Sequence, residues 1–397
     1  MTDDSLRIGA TIEVTIENVA NGGFCIARHQ GKVVFVRHSL PGERVVAEIT
    51  DITSKFLRAD VVEVVEPSPY RVQPQCQYAA LCGGCDWQHA SLEYQLQLKS
   101  AIVQEQLSHL GKVQTVNNQP LTDFRVEALP GDVNGLRWRT RNRFVNVAGQ
   151  GLGMRMARSH NVVEIDDCLI AVDGAVAIAE SALHLGHPEV QTAKSSTGQH
   201  VVVDERGGPW LDEQVGTRRW RIHASSFWQV HVEAAKTFVD VVKGLSDLQE
   251  DQSVLDLYAG SALFGASMAE DVGENGLVVA VEASIDAMRD ARRSCSDLPQ
   301  IELVTADVKK WLNQNTEEQF DVVVLDPPRA GAGAEVIAKI ATIARDKIIY
   351  VACDPSALGR DTAYLRELGW EMSRLRGFDA FPMTSHVECI ALFQRAN

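Results

Sequence analysis

The chain has 397 residues, of which 45% are hydrophobic and 23% are charged, and its formal net charge at pH 7 is -15. This composition is typical of a globular protein of two or three domains, and it excludes a disordered tail or a small disulfide scaffold. No apolar run reaches the roughly 18 residues that a membrane span needs, and the acidic balance excludes a surface that binds nucleic acid all over.

The first 66 residues alternate short β-rich runs with turn residues. The runs at 11–16, 32–36 and 45–49 are separated by Asn-Gly-Gly at 21–23 and by Pro-Gly at 41–42. Closely spaced strands of this kind predict a small five-stranded β-barrel, which closes its own edges. Basic residues along it favour a nucleic-acid surface, and the alternative is a solvated face of mixed charge.

Four of the eight cysteines are candidate metal ligands. Cys76, Cys82 and Cys85 follow a proline-containing linker with Cys-x5-Cys-x2-Cys spacing, and Cys168 lies far downstream. Eight cysteines are too sparse for a secreted scaffold, so we expect a cytoplasmic protein in which they remain thiols, ligands or nucleophiles. Four thiolates can hold either zinc or an iron–sulfur cluster. We favour a 4Fe–4S cluster, because structural zinc sites more often use two Cys-x2-Cys pairs.

The segment 67–232 mixes strand-like and helical patterns, for which we predict a small central α+β domain. Its residues 135–161 contain no Asp or Glu, and Trp138 and Phe144 are interleaved with arginines. Guanidinium groups beside aromatic rings are typical of single-stranded RNA recognition, and the alternative is a few arginines on a strand face. The predicted RNA-binding residues are Arg137, Arg139, Arg141, Arg143, Arg155 and Arg158.

From residue 233 onwards the pattern predicts a Rossmann-like domain of the α/β class. Near-continuous apolar runs at 253–257, 277–281, 320–325 and 347–352 alternate with helical segments, which indicates a parallel sheet covered on both faces. The runs 370–378 and 386–394 predict a closing hairpin. The predicted domains are therefore 1–66, 67–232 and 233–397.

The first strand of this domain ends in a turn that favours a cofactor site. Tyr258, Ala259 and Gly260 follow the strand, and Glu282 ends the next one, where a carboxylate can accept hydrogen bonds from ribose hydroxyls. The turn lacks the Gly-x-Gly-x-x-Gly of a dinucleotide site and fits S-adenosylmethionine better. We place Asp307, after the third strand, near the adenine. An ordinary strand–helix turn is the alternative.

Three further strand ends carry reactive groups. Asp326 precedes Pro327 and Pro328, which end the sheet pairing and fix a rigid loop. Cys353 follows the fifth strand, and beside Asp326 it is a candidate nucleophile, although a lone cysteine is more often a buried thiol. Glu388 opens the last strand and can return a carboxylate to the same edge.

Together these motifs resemble the RNA uracil-5-methyltransferase family, S-adenosylmethionine-dependent enzymes that make 5-methyluridine. The resemblance spans nearly the whole chain, from a TRAM-type barrel through Cys82-Gly83-Gly84-Cys85 and Phe227-Trp228-Gln229 to Asp326-Pro327-Pro328-Arg329, Cys353-Asp354-Pro355 and His386-Val387-Glu388. It implies a class I methyltransferase domain behind a TRAM barrel and a cluster-bearing central domain.

The resemblance also implies roles for individual residues. Those at Gln229, Tyr258, Glu282 and Asp326 contact the cofactor, Cys353 is the nucleophile that adds to C6 of uracil, and Glu388 is the base that removes the C5 proton. Asp326 also lies near the reacting base. The implied substrate is a specific uridine in structured RNA, which we expect to be 23S ribosomal RNA, with transfer RNA as the alternative.

The chain departs from the family in the cofactor turn, where Ala262 and Leu263 replace a glycine and a polar residue. This departure motivates another alternative, a catalytically inactive protein that retains the fold and binds RNA. Cytosine-5 methylation is disfavoured because Arg329, rather than cysteine, follows the Asp-Pro-Pro motif. We expect a monomer that binds neither DNA nor a membrane.

Overall fold

In the computed structural model, the described residues are 6–147, 151–204 and 207–396. Residues 1–5 of the predicted barrel domain and 148–150 of the predicted RNA-binding segment lie outside the described residues, as do 205–206 and 397. None of the described helices is long and apolar enough to cross a membrane.

The N-terminal part is the predicted barrel. Its strands pair in the closed order β1-β2-β3-β5-β4, in which β3 and β5 run parallel and the other neighbours antiparallel. Alternate side chains such as Ile12, Val14 and Ile16 are buried inside the barrel, as a period of two requires. The strands are β1 (Thr11–Val19), β2 (Cys25–His29), β3 (Lys32–Arg37), β4 (Arg44–Ile52) and β5 (Phe56–Glu66).

The middle of the chain forms two α-helices, several short strands and an antiparallel sheet with the order β11-β10-β9-β12-β13. A separate hairpin, β14-β15, follows that sheet. The elements are α1 (Leu92–His109), β6 (Thr115–Val116), β7 (Gln119–Pro120), β8 (Val126–Ala128), β9 (Arg141–Val147), β10 (Gly151–Arg155), β11 (Val162–Glu164), α2 (Ala175–Glu180), β12 (Glu189–Lys194), β13 (His200–Val203), β14 (Trp210–Val215) and β15 (Arg218–His223).

The C-terminal part is a largely parallel sheet with helices on both faces, as the sequence predicts. Its strand order is β18-β17-β16-β19-β20-β22-β21-β8, in which β22 runs antiparallel to both neighbours. The elements are α3 (Ala234–Ser246), β16 (Ser253–Leu257), α4 (Leu263–Met268), β17 (Leu277–Glu282), α5 (Ile285–Ser294), β18 (Ile301–Thr305), α6 (Val308–Gln314), β19 (Phe320–Leu325), α7 (Ala334–Ile343), β20 (Ala344–Ala352), α8 (Pro355–Glu367), β21 (Trp370–Asp379) and β22 (Glu388–Arg395).

Two elements that precede residue 233 pack with this C-terminal sheet. Strand β8 pairs in parallel with β21, so that Val126 lies opposite Gly377. Helix α1 packs against α8, because Val103 and Leu107 are buried in the core beneath that face of the sheet. The sheet therefore extends beyond the predicted boundary at 232, since its edge strand comes from the first half of the chain.

Helix α1 also joins the barrel to the C-terminal part. Leu98 and Ile102 are buried in the barrel core, on a different side of the helix from Val103 and Leu107. Between them the fully buried ammonium group of Lys99 forms an ion pair with Asp379 at the end of β21. A buried ion pair contributes little net stability, but removing one partner leaves an uncompensated charge. This pair therefore fixes α1 against the loop that follows β21.

Candidate active site

A cavity of about 1040 Å³ opens at the carboxyl ends of β16, β17, β19 and β20. Ligands of open α/β sheets bind at this edge. Asp307 is not among the lining residues: its carboxylate accepts the backbone N–H of Lys310 (3.0 Å) and caps α6. The predicted catalytic and cofactor-binding residues that line the cavity are Gln229, Tyr258, Gly260, Glu282, Asp326, Cys353 and Glu388.

The cofactor turn between β16 and α4 has an unusual backbone. Tyr258, Gly260 and Ala262 all have positive φ angles, of 60°, 55° and 57°. The carboxylate of Glu282 stabilises this turn, because it accepts hydrogen bonds from the backbone N–H groups of Gly260 (3.0 Å) and Ser284 (2.6 Å). Glu282 thus orders the turn and also lines the cavity beside it.

Ala262 and Leu263, at which the sequence departs from the family that it resembles, lie away from the cavity. Ala262 is fully buried and Leu263 is 8% exposed, and both pack in the apolar core behind the turn. Neither residue lines the cavity. Ala262 adopts the left-handed conformation that glycine favours, at a cost of roughly 1 kcal/mol. The substitutions therefore keep the turn and change its support rather than its ligand-facing surface.

Asp256 is a fully buried carboxyl group beneath the same turn. Its Oδ2 accepts the backbone N–H of Gly265 at 2.8 Å, and its Oδ1 has no hydrogen-bond partner within the described residues. Burial raises the pKa of Asp256 to about 7. A buried carboxyl with only one donor is disfavoured in its charged form.

The register of the last strands brings the candidate nucleophile and base together. Ala352, the last residue of β20, pairs with Cys389 of the antiparallel strand β22, so Cys353, which directly follows β20, lies next to Glu388 at the start of β22. Cys353 precedes Asp354, whose carboxylate caps α8 by accepting the backbone N–H of Ala357 at 2.8 Å. The nucleophile is thus held between a strand end and a capped helix.

The electrostatics of the cavity favour protonated groups in the ligand-free protein. Burial, then the neighbouring Glu388 and Asp326, raises the pKa of Cys353 to about 12. Burial raises the pKa of Asp326 to about 7, and burial together with Asp326 raises the pKa of Glu388 well above its ordinary value. Arg329 opposes the shifts of Cys353 and Glu388. Acidic groups with raised pKa values that line one cavity are typical of functional sites.

Phe227 and Arg329 are among the residues that line this cavity and that the sequence had given no role. The ring of Phe227 is 68% exposed at the cavity, in the segment that leads to Gln229. Arg329 supplies positive charge beside the acidic groups. A positive residue directly after Asp326-Pro327-Pro328 was a sequence signal for the second, whereas only the fold shows the exposure of the first.

The four predicted cluster ligands line one small cavity. Cys76, Cys82, Cys85 and Cys168 surround about 20 Å³, and burial raises the pKa of each thiol. The backbone N–H of Gly84 donates to Sγ of Cys82 at 3.3 Å. The side-chain amide of Gln88 donates to Sγ of Cys85 at 3.4 Å. No three His, Cys, Asp or Glu side chains among the described residues are arranged to hold a metal ion, so the bound group stays a prediction.

The predicted RNA-binding arginines do not form one free basic surface. Arg137 pairs with Asp167 (2.6 Å) and Asp173 (3.1 Å), and Arg141 pairs with buried Glu213 (2.9 Å). Arg155 and Arg143 both pair with Glu189, at 2.9 Å and 3.6 Å from a carboxylate oxygen. Arg139 lines the active-site cavity, and the guanidinium group of Arg158 lies over the ring of Phe24. The prediction that Trp138 and Phe144 offer their rings to RNA is wrong, because both are 1% exposed in the core.

Comparison with known proteins adds to this geometry. Residues 6–62 match the model of the TRAM domain, and residues 183–396 match the model described as tRNA (Uracil-5-)-methyltransferase. An uncharacterized RNA methyltransferase of Streptomyces coelicolor is 36% identical, over 98% of this chain and 94% of the relative. A 23S rRNA (uracil(1939)-C(5))-methyltransferase of Alcanivorax borkumensis is 28% identical, over 96% of each chain.

The fold itself has a counterpart among solved structures. The structure of the Pyrococcus abyssi tRNA (uracil-54, C5)-methyltransferase, in complex with S-adenosyl-L-homocysteine, superimposes with a TM-score of 0.74 at 22% identity. The match covers 96% of this chain and 99% of that one. At this identity the likeness shows the fold alone, which includes the barrel, the middle region and the C-terminal sheet.

Proposed function

Because the chain belongs to the RNA uracil-5-methyltransferase family, and is an S-adenosylmethionine-dependent enzyme of that family, we propose that Cys353 and Glu388 carry out methylation at C5 of a specific uridine. The observation that carries this assignment is the strand register: Cys353 follows β20 and Glu388 begins the neighbouring strand β22, and both line the cavity that also contains the cofactor turn. A thiol and a carboxyl group in one cavity match the nucleophile and base that the reaction needs.

The residues around the cofactor turn fit S-adenosylmethionine. Glu282 lies at the end of β17, where its carboxylate can accept a ribose hydroxyl, and Tyr258 offers a half-buried ring next to it. When bound, S-adenosylmethionine supplies the methyl group and a positive sulfonium charge. Asp326 and Gln229 line the same cavity and would orient the methionine part, so the acidic character of the site suits a cationic ligand.

On the substrate side, the addition to C6 and the removal of the C5 proton can each be assigned to a residue. The thiolate of Cys353 adds to C6 of uracil, which makes C5 nucleophilic enough to take the methyl group. The carboxylate of Glu388 then removes the C5 proton, C5–C6 becomes a double bond again, and Cys353 leaves as thiolate. Arg329 stabilises both ionised groups, since its charge lowers the pKa of each. The target base must leave its stack to reach them.

A trapping experiment tests this assignment. RNA that contains 5-fluorouridine cannot release its C5 substituent as a proton, so we expect a covalent adduct that Cys353→Ala abolishes. The matched control is Cys295→Ala, because Cys295 is another free cysteine of the C-terminal part and lies outside the cavity. A wild-type protein that binds S-adenosylmethionine and RNA yet forms no adduct would contradict the proposal.

We propose 23S ribosomal RNA as the substrate. The support is the 28% identical relative of that description, which aligns over 96% of this chain. Transfer RNA is the alternative, since the matching family model carries a tRNA name. Methyl transfer from labelled S-adenosylmethionine to unmodified 23S and tRNA transcripts distinguishes them: label in tRNA alone would refute the ribosomal assignment.

We also propose that Cys76, Cys82, Cys85 and Cys168 hold a 4Fe–4S cluster. Four thiols around one cavity and two N–H donors to sulfur suit such a cluster, whose properties depend on hydrogen bonds to its sulfurs. Anaerobically purified protein should be brown and should contain iron and sulfide, and Cys168→Ser should lower both. A colourless protein with stoichiometric zinc would contradict this assignment.

A further inference from the structure

Three phenylalanine rings lie on the outer face of the barrel. On β3 the side chains of Val34 and Val36 are buried inside, so Phe35 between them points outwards. The rings of Phe35 and Phe56 meet edge to face with centroids 5.4 Å apart, and Phe24 precedes β2 beside them. All three rings are only half-buried, although nothing in a barrel of this size requires aromatic residues outside.

Two arginines cover these rings. The guanidinium carbon of Arg58 lies 5.2 Å from the ring centroid of Phe56 and 5.5 Å from that of Phe24. The guanidinium carbon of Arg158 lies 4.3 Å from the centroid of Phe24. Arg158 belongs to the turn between β10 and β11, so this surface joins the barrel to the middle sheet. We call Phe24, Arg37, Arg58 and Arg158 the junction surface.

The charges of the junction surface are poorly compensated. Within the described part of the chain, the side chains of Arg37 and Arg158 form no ion pair or hydrogen bond. Arg58 forms one long ion pair, with 3.8 Å between its Nε and a carboxylate oxygen of Asp51. Burial, then the positive charges of Arg58 and Arg37, lowers the pKa of Arg158 and outweighs the opposing effect of the carboxylates of Asp60 and Asp51. Guanidinium groups that repel one another in the free protein are stabilised when an anion binds between them.

The junction surface lies beside the active-site cavity. Gly23, next to Phe24, packs against Ser385 so closely that an added Cβ would lie 2.8 Å from the serine side chain. The backbone N–H of Ser385 in turn donates to the carboxylate of Asp86, which lines the cavity. On the other side, the backbone N–H of Gly83 donates to the carbonyl of Arg155 at 3.0 Å, and Gly83 also lines the cavity. An RNA strand that leaves the cavity past Gly83 would therefore contact Arg158 and Phe24.

We propose that the junction surface binds the single-stranded RNA next to the target uridine. Arg58 and Arg158 contact the phosphates of this RNA. Their guanidinium planes, which lie over phenylalanine rings, stack on its bases. Single-stranded RNA is recognised by this combination of cationic groups and flat surfaces. The inference rests on the proposed function, because it assumes that RNA approaches the cavity. It assigns the substrate contact to Arg58, whose ion pair with Asp51 is long at 3.8 Å, and to Arg158 of the β10–β11 turn, in place of Arg137 and Arg141, which form shorter ion pairs.

Equilibrium binding of a short fluorescein-labelled oligouridylate to the full-length protein, over a series of potassium chloride concentrations, tests the inference. We expect Arg58→Ala and Arg158→Ala each to weaken binding about tenfold and to reduce the slope of log affinity against log salt by roughly 0.7, the contribution of one phosphate contact on a single strand. Phe24→Leu should weaken binding while leaving the slope nearly unchanged. The control is Arg374→Ala, which removes an exposed arginine of β21.

S-adenosylmethionine affinity, measured by calorimetry, reports whether each variant retains its fold. Wild-type affinity and slope in folded Arg58→Ala and Arg158→Ala variants would overturn the inference. Loss of binding in Arg143→Ala instead would return the contact to the arginine segment. Failure of the proposed function is distinguishable, because it would appear as absence of the Cys353 adduct in wild-type protein at saturating RNA, whatever the junction variants do.

Discussion

Replacement of Asp256 by Asn should stabilise the protein increasingly as the pH rises. The carboxyl group is fully buried, accepts a single hydrogen bond, and has its pKa raised from 3.8 to about 7. Because the folded-state pKa lies above the unfolded one, the carboxyl group ionises first in the unfolded chain, and the folded state loses stability as the pH rises between these two values. Above both, the loss reaches roughly 4 kcal/mol. Asn cannot ionise and keeps an oxygen for the backbone N–H of Gly265.

Part of this loss falls in an accessible pH range. Between about pH 5.5 and about pH 8, linkage gives a change of roughly 2 kcal/mol in the contribution of Asp256. Urea unfolding followed by tryptophan fluorescence at both pH values should show that the Asp256→Asn variant gains this amount relative to wild type. A difference between the two proteins that does not change with pH would refute the reasoning, because it would mean that Asp256 is ionised in the folded state throughout.

Asp321 provides a control with the opposite sign. Its carboxylate accepts hydrogen bonds from the backbone N–H (2.7 Å) and the hydroxyl (2.8 Å) of Ser253, and these bonds and Arg345 outweigh burial and lower its pKa. Folded and unfolded states are therefore both ionised above about pH 5.5. Asp321→Asn should destabilise the protein by a similar amount at the two pH values.

Three further outcomes follow from the site and the arginines. The rate of adduct formation with 5-fluorouridine RNA should rise about tenfold per pH unit near neutrality, because the pKa of the Cys353 thiol is raised to about 12. Rapid-mixing experiments measure this rate, and a rate that does not change with pH would show that the thiolate is already formed. Glu388→Gln should accumulate a methylated covalent adduct with ordinary uridine RNA, detectable by denaturing gel, whereas normal turnover would exclude Glu388 as the base. Arg141→Met should lower the free energy of unfolding by about 3–5 kcal/mol, since it leaves Glu213 buried and unpaired, and a loss below 1 kcal/mol in urea titrations would refute that.

The sequence predicted the elements whose apolar residues alternate along a strand or form one continuous run. It did not predict helix α1, which packs against two parts of the protein, or the short strand β8. The barrel and the C-terminal sheet follow from strand runs of period two and from buried apolar runs. Helix α1 was not predicted, because Leu98 and Ile102 face the barrel while Val103 and Leu107 face the C-terminal part, so its apolar residues form no single stripe. Strand β8 has three residues, too few to give a pattern.

The candidate site was predictable because its residues follow strands whose ends meet at one edge. Cys353 and Glu388 could be located from strand ends alone, and the register then brought them together. The roles of Arg137 and Arg141 were not predictable, because their partners Asp167 and Glu213 come from distant parts of the chain. A run without acidic residues in sequence can still be neutralised in space.

The pairing of β8 with β21 affects how the protein can be made and divided. Residues 126–128 leave the ribosome long before residues 377–379, so the edge of the sheet can be completed only when nearly the whole chain has been synthesised. A fragment that starts at residue 233 would expose the unpaired backbone groups of β21, and such an open edge invites pairing with another copy. We therefore expect that fragment to aggregate, and we expect a fragment that retains α1 and β8 to remain monodisperse.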